Sequence, residues 1–94
     1  MNQYIYIFNN PSKSKFSSGA FSSKALADQW IKKYKLSGIL SQYPIDIGVY
    51  DWAISKKFFV ASVERDNHPD FIGSFSSASL EHYHYENGIC EDNE

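Results

Sequence analysis

Ninety-four residues hold one small domain, and 43% apolar with 17% aromatic residues exclude a disordered chain. No stretch approaches the roughly 18 consecutive apolar residues that a membrane-spanning helix needs. The net charge of −2 and a single arginine, Arg65, argue against nucleic-acid binding, which rests on a basic footprint and on arginine's two-pronged contacts.

In chain order, the opening MNQYIYIFNN has no positive charge ahead of its apolar run, so no secretory signal is expected. Gln3–Phe8 reads as a strand, because Tyr4, Ile5, Tyr6, Ile7 and Phe8 are aromatic or β-branched with little break. Asn9–Ser12 supplies turn residues, and Phe16–Phe21 is a second strand antiparallel to the first. Ser22 or Ser23 caps a helix from Lys24, with Leu26, Trp30 and Tyr34 as its apolar stripe and Ala27 and Ile31 beside them. Gly38 is expected to end that helix as a left-handed cap.

Ile39–Tyr43 follows as a third strand, closed by Pro44. Asp46 is expected to cap a second helix whose inner side carries Val49, Tyr50, Ala53, Ile54 and Phe58, with Asp51 in its first turn and Trp52 off the inner stripe. Val60–Asp70 reads as a loop, and Asp70–Ser79 as one helical turn and then a loop. Leu80–Tyr85 alternates large and polar residues and is the last predicted strand, followed by Gly88 and a fraying acidic tail.

Charge is unevenly spread. Six lysines and Asp28 lie between Lys13 and Lys35, a local sum of +5, whereas Glu81–Glu94 has five acids and no Lys or Arg. Such an acidic end suits a basic partner.

The densest set of chemically capable residues is Glu81, His82, Tyr83, His84, Tyr85 and Glu86. On a strand, His82, His84 and Glu86 share one face, where two imidazoles and a carboxylate are a candidate metal site. His68 and Cys90 are extra ligands by residue type alone, and the usual zinc spacings are absent. No phosphate-cradling glycine loop, serine elbow or paired catalytic carboxylates occur. Cys90 sits beside Glu91 and Asp92, which disfavour its thiolate. A lone cysteine forms no internal disulfide, which fits a reducing cytoplasm. No catalytic residue and no cofactor is therefore expected.

Three segments are familiar: GAFSSKALADQWI (Gly19–Ile31), LSGILSQYPIDIGVYDWAI (Leu36–Ile54) and FIGSFSSASLEHYHYENG (Phe71–Gly88). Together they resemble a family of short uncharacterised bacterial proteins, a domain of unknown function, with YDWA and EHYHYENG as its most specific segments. The resemblance implies an α+β domain of cytosolic type and brings no catalytic residues. Some small proteins of this size and composition act as immunity proteins beside toxins.

The expected fold is α+β: a small, mostly antiparallel sheet of about four strands with two helices packed on one face. Residues 1–88 form the domain and 89–94 the acidic tail. The expected function is non-enzymatic protein binding, with an immunity-type inhibitor of a basic toxin or nuclease as its concrete form. Glu81, His82, Tyr83, His84, Tyr85 and Glu86 would make the contact, and Glu91 and Asp92 would steer association. The alternatives are a metal-binding domain at His82, His84 and Glu86, and a homodimer joined through a sheet edge.

Overall fold

The computed structural model describes residues 3–60 and 68–92. Strand β1 (Tyr4–Asn9) pairs antiparallel on one side with β2 (Gly19–Phe21) and on the other with β3 (Gly38–Pro44). Beyond β3 lie β4 (His82–Glu86) and β5 (Ile89–Cys90), so the sheet runs β2-β1-β3-β4-β5. The fold is α+β as expected, with five strands in place of about four. The fifth arises because Asn87 and Gly88 both take positive φ, 51° and 85°, which turns the chain through a two-residue hairpin. The sheet thus continues past residue 88 into the expected tail.

Between β2 and β3 lies α1 (Lys24–Tyr34), the element the sequence predicts most closely. Ser23 Oγ accepts from the Leu26 backbone N–H at 3.2 Å, and Lys32 and Lys33 occupy the last turn, where positive charge offsets the helix dipole. The helix closes at Lys35, in left-handed conformation, and not at Gly38. Gly38 is needed for a different reason: a Cβ there would meet Asn9 O at 2.5 Å and the Phe8 ring at 2.8 Å. The buried side of α1 is Ala27 and Ile31, while Leu26 and Tyr34 stand 49% and 56% exposed. The predicted stripe is therefore rotated by about one residue, because a period of 3.6 fits both sets and only docking on the sheet chooses.

The main core joins α1 to one sheet face: Phe8, Ala27, Ile31, Leu40 and Tyr85, with Tyr6, Phe21, Trp30 and Tyr83 packed around them. Phe8 meets Trp30 and Tyr85 edge-on at 5.9 and 6.4 Å between ring centroids.

A second cluster sits near the end of the sheet where β3 finishes. Here α2 (Val49–Ser55) buries Trp52 and Ala53 against Leu80, with Tyr43 and Val49 alongside. Its N-cap is Gly48, not Asp46, which instead takes a positive φ of 66° in the preceding turn. Val49 and Ala53 of the predicted inner side pack in this cluster as expected, but Trp52 joins them in the core, whereas Ile54 and Phe58 are exposed. A short α3 (Pro69–Ser74) starts at His68, whose Nδ1 accepts from the Asp70 backbone N–H, so His68 acts as a helix cap. Aromatic contacts bind α3 to α2: Tyr50, Phe59, Phe71 and Phe75 lie edge-on or tilted to one another except for stacked Phe59 and Phe71, with Phe59 and Phe75 at 4.8 Å. Residues 61–67 of the predicted loop, Arg65 among them, and residues 93–94 of the predicted tail lie outside the described residues.

Candidate functional site

An extended strand sends successive side chains to opposite faces, so β4 divides the EHYHYE segment in two. Register assigns the sides. Tyr83 lies opposite Leu40 and Tyr85 opposite Gly38, on the face beneath α1. His82 lies opposite Ser41 and His84 opposite Ile39, on the other face, which shares its side with Ile5 and Ile7 of β1.

The covered side is structural. Tyr85 is 4% exposed, and its phenol donates to Asp28 Oδ1 of α1. Asp28 also pairs with Lys24 at 3.2 Å, and the Lys24 ammonium sits 4.7 Å from the Tyr83 ring centroid. Tyr83 Oη donates to Glu81 Oε1 at 3.0 Å. Burial, and next the bond to Asp28, pushes the Tyr85 phenol far above the ordinary phenol range. Burial, and next the bond to Glu81, pushes Tyr83 up to about 12. The expectation that Tyr85 contacts a partner is thereby corrected: it is spent on the core and on α1.

The other side is covered at one end, where Tyr43, opposite Ile5, packs in the second cluster, and is open around His82 and His84. His82 and His84 are both exposed, with their rings edge-on at 5.3 Å. His82 Nδ1 lies 2.9 Å from Leu80 O and acts there as a donor, since a carbonyl only accepts. The His84 backbone N–H donates to Asp92 Oδ2, and His84 Nδ1 lies 3.0 Å from the same oxygen. The His84 backbone N–H holds the Asp92 carboxyl below the ordinary carboxylate range, and the imidazole adds to that effect. Glu91 N–H returns to His84 O at 2.7 Å, so the described part of the acidic tail is pinned along β4 instead of fraying. Glu86 and Glu91 are exposed at the hairpin end of the same region.

The metal expectation is not supported by this placement. Among the described residues no three His, Cys, Asp or Glu side chains come together as a metal site. His82 and Glu86 share a face, yet four residues of strand separate them by about 13 Å of rise. Cys90 pairs opposite Tyr85, so it faces α1 and lies across the sheet from the His84 ring. What remains is two imidazoles and a carboxylate cluster on one exposed face, suited to hydrogen bonding and charge pairing with another surface.

Sequence reasoning misses the rest of that face. Ile5, Ile7 and Ile39 are only half-buried, and neither core cluster includes them. For Ile5 and Ile7 the signal was the near-continuous apolar run of β1, which suggests cover on both faces, whereas the main core lies on one. Asp28 as the partner of Tyr85 had no sequence signal, because 57 residues separate them.

Among the described residues no helix is long and apolar enough to cross a membrane. No curated protein and no solved structure matches the chain. The family model described as Domain of unknown function (DUF7710) matches residues 5–91, from β1 to just past β5. The chain belongs to that family of unknown function.

Proposed function

We propose that the protein is a non-enzymatic binding module of the bacterial cytoplasm, of the immunity type, which blocks a basic protein such as a toxin or nuclease. The carrying observation is the pairing of a half-buried apolar strand face with an acidic margin. Ile5, Ile7 and Ile39 supply apolar area beside His82 and His84, and Glu86, Glu91 and Asp92 stand next to them. Apolar contact supplies affinity, and the acids select a basic partner and speed encounter. Glu81 and Tyr83 emerge on the α1 side, so they contribute charge to the surroundings more than contact. A homodimer through a sheet edge has little to pair with, since β2 offers three residues and β5 two.

The partner is identified by mass spectrometry after capture on the native protein, and its affinity is then measured by calorimetry with the purified pair. A basic partner is expected. Ile7→Glu, or Glu86→Lys with Glu91→Lys, should weaken binding at least about tenfold, while Leu26→Gln, exposed on α1 over the opposite sheet face, should leave it unchanged. An acidic partner, or undiminished binding by both open-face variants, refutes the reading.

A further inference from the structure

The β4–β5 hairpin turns at Asn87 and Gly88, and no other Asn in the chain is followed by Gly. That pair carries a reaction of its own. With no side chain on Gly88 to hinder it, the Gly88 backbone nitrogen can attack the Asn87 side-chain amide carbon. The N–Cγ bond forms, the Cγ–Nδ2 bond breaks, and ammonia leaves with the proton from Gly88 N. Water then opens the five-membered imide at either carbonyl. One opening gives aspartate. The other gives isoaspartate, in which the main chain runs through the former side chain. The net change is one water taken up and one ammonia released.

Two hydrogen bonds stand in the way. Gly88 is buried, and its N–H donates to Leu36 O at 2.8 Å. Asn87 N–H donates to Ser37 Oγ at 2.9 Å. Leu36 and Ser37 form the connection between α1 and β3, so the turn is docked on another part of the fold. The docking is close: a Cβ on Gly88 would lie 3.0 Å from Lys35 Cα and 3.3 Å from Ile31 O. The Asn87 side chain is exposed, so the electrophile is accessible while its attacker is withheld. Attack requires Gly88 N to give up the proton that Leu36 O holds.

We propose that Asn87 is a deamidation site held shut by the docked turn, reacting only when the hairpin lifts off Leu36 and Ser37. The rate in the folded protein is then the rate in an unstructured chain multiplied by the fraction of molecules with the turn open. Isoaspartate adds one carbon to the main chain of a two-residue turn, so Glu86 no longer stays opposite Ile89. The bonds from Glu91 and Asp92 to His84 lie just beyond that pairing and are lost with it. A transient opening of the hairpin is thereby made a permanent release of the acidic end.

The intact protein and a synthetic peptide of residues His84–Ile89 are held at mildly alkaline pH, and residue 87 is followed by mass spectrometry after digestion in acid. The folded protein should convert at least about tenfold more slowly than the peptide, and should reach the peptide's rate in denaturing guanidinium chloride. Amide hydrogen exchange at Gly88 needs the same opening. Its slowing relative to the peptide should match the slowing of conversion to within about threefold. Ser37→Ala removes one docking bond and should speed exchange and conversion together. The unsubstituted protein carries the test by itself if that variant does not fold. Isoaspartate chains separated by ion exchange should show fast amide exchange at His84 and Glu91. Equal rates in protein and peptide, slowed conversion without equally slowed exchange, no conversion in denaturant, or protected His84 and Glu91 amides in the isoaspartate form overturns the proposal.

Discussion

The sheet face beneath α1 holds Phe8, Leu40 and Tyr85 at 4% exposure or less, whereas the opposite face presents Ile5, Ile7, Ile39, His82 and His84 outside both core clusters. The two faces are built from the same strands and differ in what is packed on them. On the covered face even the polar groups are tied down: the Tyr85 phenol reaches Asp28, and Asp28 reaches Lys24. On the open face the polar groups are tied at one edge only, with each histidine's Nδ1 engaged and the ring itself in solvent. A buried face is constrained by packing and by satisfaction of its polar atoms, so changes there act on stability. The exposed face is less constrained in both respects, so changes there act more on recognition than on stability.

The largest expected contrast comes from truncating one apolar residue on each face. Leu40→Ala removes a side chain with no exposed surface and should cost about 2–5 kcal/mol in denaturant unfolding. Ile7→Ala, on half-buried ground, should cost less than half as much. Equal losses would mean that the open face is covered in solution.

A smaller contrast lies within β4. Tyr85→Phe deletes the phenol but keeps the ring, leaving Asp28 short of a donor, and should cost roughly 1–3 kcal/mol. His84→Ala, one residue away on the exposed side, should change stability by no more than about 0.5 kcal/mol. A reversal of that order in thermal or chemical unfolding would contradict the division of the strand.

The smallest effects are read through pH. Tyr83 titrates near 12 in the fold against about 10 when unfolded, so the neutral phenol favours the folded state. Its contribution is full below about pH 10 and is lost as pH rises from there toward 12, and Tyr83→Phe should remove that part of the alkaline decline. Asp92 behaves in the opposite sense. Its carboxyl lies below the ordinary range, so its contribution is present above about pH 4 and is lost as pH falls through its folded value. Asp92→Asn should flatten the acid limb of melting temperature against pH, and an unchanged limb would show that the contact with His84 does not persist in solution.

Several elements were legible from local sequence. Strand β1, helix α1 with its Ser23 cap, and strand β3 ending at Pro44 each follow from residue preferences within a few positions. The fifth strand was missed, although Asn-Gly between Glu86 and Ile89 is a two-residue hairpin signal that could have found it. The core stripes were not legible. Around α1 and α2 the apolar residues cover more than one helical face, and burial of Ala27, Ile31, Trp52 and Ala53 depends on where each helix meets its neighbours. Within EHYHYE the alternation was legible, but nothing local says which set lies under α1.

The sequence alone therefore determined an α+β chain with a capped, lysine-ended helix, apolar strands and an acidic end, because these follow from backbone preferences and charges of neighbouring residues. Tertiary structure alone decided that Tyr85 is core and His84 is surface, that Asp92 folds back on β4, and that the Gly88 N–H is held by Leu36. Those outcomes depend on contacts between residues far apart in the chain, and a strand or helix presents its alternate faces without regard to which of them another element will cover.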